Sequence, residues 1–333
     1  MARPYVSTGE LPARERVQEL VAEAHERFRS DRSGANSQIY PALARMPEEL
    51  FGVAVVGTDG VAVETGDAHV EFALMSVSKP FVFALICELL GPAEARARLG
   101  ANSTGLPFNS LAAIERSGDG RTNPMVNSGA ICTSSMAPGA TAQDRWRFLH
   151  EGLSRFAGRE LSLDAEIYES VSATNSRNQS IVRLLDNYDL LYTEPSEALD
   201  LYTRQCSLAA SAHDLAVMGA TLAHGGVNPC TKERVVDAAV CHYALAVMLT
   251  SGLYETSGDW LYDVGLPGKS GIGGGIVTVS PGKGGIGTFA PPLDAAGNSV
   301  KGQLVAKFLS EQLGMDLLTS APAPASGVPE PVS

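Results

Sequence analysis

Hydrophobic residues recur along this chain with two different periods, and the change from one period to the other predicts an α/β protein. Residues 13–30 carry an apolar stripe at helical spacing, made of Val17, Leu20, Val21, Ala24 and Phe28. Two short β-rich runs follow, at residues 51–57 and 61–64. Asp59-Gly60 stands between them, and Asp-Gly between two such runs is typical of a β-hairpin.

Beyond the hairpin the pattern turns from strand to helix and back again. A third strand is predicted at residues 69–72. Helical spacing then dominates to about residue 250, over 146–156, 180–185, 197–205, 213–224 and 235–249. Two more β runs follow at residues 275–280 and 285–290, and a last helix is predicted at residues 298–313.

Strands at both ends of the chain with helices between them indicate a discontinuous layout. We expect a mixed α/β domain built from residues 13–74 plus 212–313 and a helical domain built from residues 75–211. Clefts between domains are common binding sites, so the junction is where a site is expected. Residues 1–12 and 319–333 are expected to be flexible, the latter because it is rich in Ala, Pro and Ser.

The stretch 76–80 reads Ser-Val-Ser-Lys-Pro and opens an almost unbroken apolar run. Pro80 predicts that a helix begins near Ser76, because proline is tolerated in the first turn of a helix. Ser76 and Lys79 then stand three apart on one face. Burial of that helix lowers the pKa of a lysine, and a neutral lysine beside a serine is a base beside a nucleophile. The same spacing also occurs by chance, so the rest of the chain must decide.

A second chemical element is Lys269-Ser270-Gly271, which has the form of the K-T-G element that accompanies S-x-x-K. The backbone N–H groups of Ile272 and Ser76 could together form an oxyanion hole. The glycine-rich stretch 271–275 precedes a strand rather than a helix, which argues against a dinucleotide loop. Its glycines are more typical of a close approach between backbone and ligand.

Three further polar residues have both a structural and a functional interpretation. Asn127, in the turn-rich stretch 123–130, either caps a helix or binds a polar substrate. Asn178, at the end of Ser-Arg-Asn at 176–178, has the same two interpretations. Tyr254 either packs at a helix end or carries a proton, if a nearby cation lowers its pKa.

Composition narrows the choice of partners. The chain has 333 residues, of which 44% are hydrophobic and 19% charged, as in soluble globular proteins. A net charge of −12 without a basic cluster argues against nucleic acid and anionic membranes as partners. The N-terminus lacks the apolar segment of a signal peptide, and the run after Pro80 is too short and too interrupted to span a membrane.

Cysteine and histidine usage bears on compartment and metal. The cysteines are scattered without a C-x-x-C pair, which predicts reduced thiols in the cytoplasm; they are Cys87, Cys132, Cys206, Cys230 and Cys241. The histidines show no H-x-x-x-H spacing, so no metal site is expected.

Taken in order, the motifs resemble one known family. Beside residues 76–80 these are NPMVNSGA at 123–130, SRN at 176–178, QCS at 205–207, DLAVMGATLAHGG at 214–226, SGLYE at 251–255, VGLPGKSG at 264–271 and PPLDAAGNSVKG at 291–302. Together they closely resemble the serine-dependent glutaminases, relatives of the serine β-lactamases, from about Tyr40 to about Phe308. The resemblance implies an α/β fold of the β-lactamase/transpeptidase type, with an antiparallel sheet flanked by helices and an inserted all-helical domain.

The resemblance also implies an activity and a set of site residues. The reaction is hydrolysis of a small-molecule amide, L-glutamine, to L-glutamate and ammonia through a serine acyl-enzyme, without a cofactor and in a homodimer or homotetramer. The implied catalytic residues are Ser76 as nucleophile, Lys79 as its base, Tyr254 as proton relay, and Lys269. The N–H groups of Ser76 and Ile272 are implied to hold the oxyanion, and the implied substrate-binding residues are Tyr40, Asn127, Asn178 and Tyr202.

Two positions depart from the family pattern. Met75 stands where the family usually has Gln directly before the nucleophile, and Val171 stands where it has a Glu that helps hold the α-ammonium of the substrate. Both are therefore counted among the substrate-binding positions. Two alternatives follow: an amidase or transacylase for a γ-carboxamide whose α-amino group is absent or acylated, and a non-catalytic binding protein of the same fold.

Overall fold

A computed structural model describes residues 9–320 and contains a five-stranded antiparallel sheet in the order β2-β1-β7-β6-β5, with a separate two-stranded ribbon, β3-β4. The strands are β1 Gly52–Gly57, β2 Ala62–Gly66, β3 Phe72–Ala73, β4 Ala209–Ala210, β5 Gly268–Ser270, β6 Gly275–Ser280 and β7 Gly284–Phe289. Strands from the two ends of the chain therefore share one sheet, as the sequence predicts.

Helices make up most of the remaining structure. They are α1 Arg14–Phe28, α2 Pro41–Ala44, α3 Lys79–Leu90, α4 Pro92–Leu99, α5 Leu111–Arg116, α6 Asn127–Ser135, α7 Ala142–Ala157, α8 Ala165–Thr174, α9 Ser176–Asn187, α10 Pro195–Cys206, α11 Ala212–Ala223, α12 Ala238–Ser251, α13 Ser257–Val264 and α14 Val300–Gln312. Two 3₁₀ turns, Met75–Ser78 and Tyr254–Thr256, carry residues singled out from the sequence.

Helices cover both faces of the five-stranded sheet. Val53 and Val55 of β1 join the hydrophobic cluster that contains α1 and α14. Ala54 and Val56 point to the opposite face and pack against α11. Because side chains of a strand alternate between the two faces, the continuous apolar run of β1 reflects a strand that is buried on both sides.

The predicted hairpin is confirmed, but the predicted third strand has a different partner. β1 and β2 pair in antiparallel register around Asp59-Gly60. Residues 72–73 pair with residues 209–210 and not with the five-stranded sheet. β2 ends at Gly66, whose φ of +64° is not an extended-strand conformation, so the strand does not continue toward residue 72.

The division into domains stays a prediction. A single hydrophobic cluster contains Phe72 and Phe289 beside side chains of the helices α3 to α10, so the junction is packed rather than open. Of the two segments expected to be flexible, residues 1–8 and 321–333 lie outside the described residues. Within residues 9–320, no helix has the length and apolar character needed to cross a membrane. All five cysteines are free, and Cys230 is the exposed one among them.

Candidate active site

Ser76 lies in the 3₁₀ turn Met75–Ser78, which leads without a break into the α-helix that begins at Lys79. Helical structure thus begins beside Ser76, as predicted, but its first turn is 3₁₀. Met75, with a φ of +47°, keeps right-handed helix from extending to the residues before Ser76. A side chain held in the left-handed region costs about 1–3 kcal/mol and persists where the surroundings enforce it, often at functional sites. Side chains three apart eclipse one another in a 3₁₀ turn, so Ser76 and Lys79 project in the same direction.

Lys79 is almost completely buried, with 1% of its surface exposed. Its Nζ donates to Asn127 Oδ1 at 2.7 Å and to the backbone oxygen of Met125 at 3.3 Å. Burial lowers the pKa of Lys79 to about 7. The lowered pKa predicted from the sequence is therefore confirmed, and much of the amine is neutral near pH 7.

Asn127 is the centre of a buried network of amides and hydroxyls. Its Oδ1 also accepts from the Tyr202 hydroxyl at 3.0 Å, and its Nδ2 donates to Asn178 Oδ1 at 2.8 Å. Asn178 Nδ2 donates in turn to Asn175 Oδ1 at 2.7 Å. The N-cap of α6 is Val126, so Asn127 does not cap that helix. The network fixes the orientation of both amides and, through Asn127, the position of the lysine amine.

Lys269 and Tyr254 form a second buried pair behind Ser76. Lys269 Nζ donates to the backbone oxygens of Gly252 at 2.7 Å and Ser270 at 2.8 Å, and lies 4.0 Å from the centroid of the Tyr254 ring. The Tyr254 hydroxyl donates to the same Ser270 oxygen at 3.2 Å. Burial, with a smaller contribution from the charge of Lys79, holds the pKa of Lys269 well below its usual range.

The pKa of Tyr254 departs from what the sequence suggested. Burial raises it to about 12, against smaller lowering contributions from hydrogen bonds with Ser76 and Ser270. A nearby cation does not lower it overall, because the Lys269 amine lies against the ring and burial has the larger effect. Tyr254 therefore stays protonated at neutral pH, and its hydroxyl is a donor close to Ser76.

The glycine-rich turn after β5 lies directly against the backbone that carries Ser76. A Cβ built on Gly271 would lie 2.9 Å from the Leu74 oxygen and 3.3 Å from the Ser76 nitrogen. One built on Gly273 would lie 2.5 Å from the Ala73 oxygen. These positions therefore need glycine for a close approach, which brings Ile272 to the wall of the cavity in front of Ser76.

The cavity in front of Ser76 is small, with a volume of about 50 Å³. Eight residues singled out from the sequence line it: Tyr40, Met75, Ser76, Asn127, Val171, Asn178, Tyr202 and Ile272. Lys79, Tyr254 and Lys269 are buried and are not part of its lining. The predicted site residues thus form one site, with the titratable groups behind the serine and the polar amides around the cavity.

Four of the other residues that line the cavity are Phe108, Asn175, Arg177 and Cys206. The sequence suggests Asn175 only as a substitute for the missing carboxylate. Arg177 and Cys206 are named from it only within motifs or among the cysteines, and Phe108 is missed. Cys206 belongs to the Gln-Cys-Ser motif, which was a usable signal; Phe108 comes from a loop without any motif. Among the lining residues Arg177 carries the only charged side chain, and none is a carboxylate. Burial raises the pKa of Cys206 to about 11, so its thiol is neutral.

The comparisons with known proteins agree with one another. The family model described as Glutaminase matches residues 34–318. The chain is 65% identical over 318 residues to "Glutaminase 2" of Yersinia pestis, covering 96% of this chain and 94% of that protein. It is 46% identical over 302 residues to "Glutaminase" of Mycobacterium ulcerans, covering 91% and 94%. A solved structure described as the probable glutaminase ybaS superposes with a TM-score of 0.91 at 43% identity, covering 92% and 99%.

Proposed function

Since the chain belongs to the glutaminase family, whose serine β-lactamase-like fold it has, we propose that it hydrolyses L-glutamine to L-glutamate and ammonia through an acyl-enzyme on Ser76. One observation carries the serine mechanism. The Lys79 amine is buried, its pKa is lowered to about 7, and it donates hydrogen bonds to Asn127 and Met125. Lys79 follows Ser76 by one 3₁₀ turn, and Ser76 lines the cavity.

The first step is attack of Ser76 Oγ on the carbonyl carbon of the side-chain amide. A neutral lysine amine has two N–H donors and one lone pair. Asn127 Oδ1 and the Met125 oxygen accept the two donors, so the lone pair is free to take the proton of Ser76. The N–H groups of Ser76 and Ile272 stabilise the tetrahedral oxyanion, and the close approach of Gly271, the residue before Ile272, to the Ser76 nitrogen supports this role.

The second step is departure of ammonia. Tyr254, with a pKa raised to about 12, gives its hydroxyl proton to the leaving nitrogen. The proton that Lys79 took from Ser76 in the first step then restores the Tyr254 hydroxyl. Lys269 places Tyr254, since its amine lies against the ring and shares the Ser270 oxygen with the tyrosine hydroxyl. Water then attacks the acyl-enzyme in the same geometry and releases glutamate.

A direct test combines turnover with trapping of the intermediate. Purified protein incubated with L-glutamine should release ammonia and glutamate in equal amounts. After rapid acid quenching, mass spectrometry should find a glutamyl adduct on the peptide that contains Ser76. An adduct on another residue would overturn the serine assignment, and release of ammonia without any adduct under trapping conditions would argue for direct attack by water.

The pH dependence offers an independent test of Lys79. We expect kcat/KM for glutamine to fall in acid with an apparent pKa near 7, the value to which burial lowers Lys79. The base works only when neutral, so protonation below this pKa reduces kcat/KM about tenfold per pH unit, while the profile levels off above it. Initial rates measured at pH values below and above 7 give this profile, and a kcat/KM that does not change with pH would exclude Lys79 as the base.

The composition of the cavity wall supports a test of a second class of substrate. No lining residue is a carboxylate, so the α-ammonium of glutamine meets no anion there. A γ-carboxamide whose α-amino group is absent or acylated avoids that mismatch. Comparison of kcat/KM for glutamine, glutaramate and an N-acylglutamine separates the two substrate classes. A roughly tenfold or larger preference for glutamine would exclude the alternative.

Val171 is the position at which we expect this specificity to be adjustable. It lines the cavity from α8 and has 3% of its surface exposed. Val171→Glu places a carboxylate opposite the α-ammonium, a charge-assisted contact worth about 1.5–3 kcal/mol. We therefore expect kcat/KM to rise about tenfold or more for glutamine and to fall for glutaramate.

The matched control is Thr174→Glu, one turn along the same helix at the rim of the same cavity. It adds the same charge without placing it at position 171. Equal gains from both variants would show a general charge effect and contradict the role given to Val171. A fall in glutamine activity for Val171→Glu alone would mean that the ammonium binds elsewhere.

The proposal also covers compartment and oligomeric state. The free cysteines agree with a reducing cytoplasm, and the family resemblance implies a homodimer or homotetramer. Light scattering of the purified protein measures the oligomer directly, and a monomer at working concentration would refute that part of the proposal.

A further inference from the structure

Glu64, His69 and His213 come together on the side of the molecule where the ribbon β3-β4 meets the sheet. Each offers one ligand atom, and these atoms lie within 4.8 Å of one another. Glu64 belongs to β2, His69 to the segment between β2 and β3, and His213 to the first turn of α11. Because His213 is far from His69 and Glu64 in the sequence, the spacing of the histidines does not reveal the cluster.

The Glu64 carboxylate lies between the two imidazoles. His69 Nε2 is 2.7 Å from Glu64 Oε2, and His213 Nδ1 contacts Glu64 Oε1. The two rings are close to each other as well, with centroids 5.3 Å apart. Two imidazoles and one carboxylate are a known set of three protein ligands for tetrahedral zinc, in which the fourth coordination position is open to water. The Zn–N and Zn–O distances in such sites are about 2.0–2.2 Å. Small rotations of these side chains suffice to bring all three atoms to one ion.

The surroundings suit a cation that solvent can reach. Side-chain exposure is 70% for His69, 29% for His213 and 24% for Glu64. His69 and His213 line a cavity of about 370 Å³, which leaves room for a water ligand. Arg159 faces the same cavity, but its charge is balanced by ion pairs to Asp214 at 2.7 Å and Glu71 at 2.8 Å.

We propose that Glu64, His69 and His213 bind one divalent transition-metal ion, with water in the fourth position. Imidazole favours zinc and its neighbours over magnesium and calcium. The proposal departs from the expectation of no metal, which rested on histidine spacing alone, and it is independent of the glutaminase activity.

The place of the cluster gives the ion a structural task. His69 precedes β3 by three residues, His213 follows β4 by three residues, and Glu64 lies on the edge strand β2. Phe72 pairs with Ala210 in the antiparallel ribbon, so His69 and His213 lie at the same end of it, where β3 begins and β4 ends. An ion bound by all three ligands therefore fastens that end of the ribbon to the sheet. The opposite end of the ribbon leads within three residues to Ser76.

Binding is tested on the metal-free protein with ZnCl₂, in a Cys230→Ser background because Cys230 is the exposed thiol and lines the same cavity. Calorimetry should find one ion per chain for Zn²⁺ and none for Mg²⁺. At a hundredfold excess over Kd, the melting temperature should rise by about 5 °C. Zinc that binds no better than magnesium would overturn the proposal.

Ligand variants identify the site. His69→Ala, His213→Ala and Glu64→Gln should each weaken zinc binding about 100-fold and abolish the rise in melting temperature. His242→Ala, at an exposed histidine on α12 outside the cluster, is the matched control and should bind as the parent does. Unchanged affinity in the three ligand variants would overturn the proposal. Circular dichroism of each variant before zinc is added separates loss of binding from loss of fold.

Discussion

The Ser76→Ala variant should lose at least about 10³-fold in kcat/KM for glutamine while it keeps its fold, because nucleophile and base act as a unit. The serine is nearly buried, so its removal leaves Lys79 and Tyr254 in place without a reacting hydroxyl. Ammonia release measures the rate, and the melting temperature measures the fold. The adduct seen after quenching should disappear together with the activity.

Ser78→Ala is the matched control, two residues further along the same turn. Ser78 Oγ donates to the Met75 oxygen at 2.8 Å and accepts from Gln205 Nε2 at 3.3 Å. Loss of these buried contacts should lower stability by about 1–2 kcal/mol and change kcat/KM only a few-fold. If Ser78→Ala were as inactive as Ser76→Ala at equal stability, the wrong serine would have been assigned.

Lys79→Met should be about as inactive as Ser76→Ala, with a melting temperature equal to or above that of the parent. Methionine fills the apolar space of the side chain but cannot accept a proton. Asn127 Oδ1 keeps its hydrogen bond from the Tyr202 hydroxyl, so the amide network retains a donor. The variant removes a buried amine whose pKa is depressed to about 7, and with it a desolvation cost.

Lys301→Met provides the comparison for a buried lysine away from the site. Lys301 has 2% of its surface exposed, and its Nζ donates to the Arg29 oxygen at 3.3 Å. We expect it to leave kcat/KM near that of the parent. Residual activity in Lys79→Met within about tenfold of the parent would show that another group takes the proton of Ser76.

The sequence predicted best those features that depend on local pattern. The two β-rich runs around the Asp59-Gly60 pair were enough for β1 and β2, and the almost unbroken apolar run was enough for the buried helix after Lys79. The depressed pKa of Lys79 followed from the same apolar run, since burial alone decides its direction. The resemblance carried by the ordered motifs then singled out eight of the sixteen residues that line the cavity.

Features that depend on long-range packing were out of reach. The partner of β3 is residues 209–210, a pairing that nothing in residues 69–72 encodes. The left-handed backbone of Met75, directly before Ser76, is enforced by surrounding structure rather than by its own side chain. Phe108 reaches the cavity from a loop, and the distant histidines His69 and His213 meet only once the ribbon has formed.

The two buried amines behind Ser76 make the folding of this chain a proton-releasing process. In the unfolded chain, Lys79 and Lys269 hold their protons up to the usual value of 10.5, whereas in the folded chain burial depresses both pKa values. The unfolded state thus binds more protons, and stability rises with pH from about 7, the folded value of Lys79, toward 10.5. A fall in pH from 10.5 toward 7 therefore weakens the fold first, and the base is lost only where that weakening ends, as the pH falls through about 7.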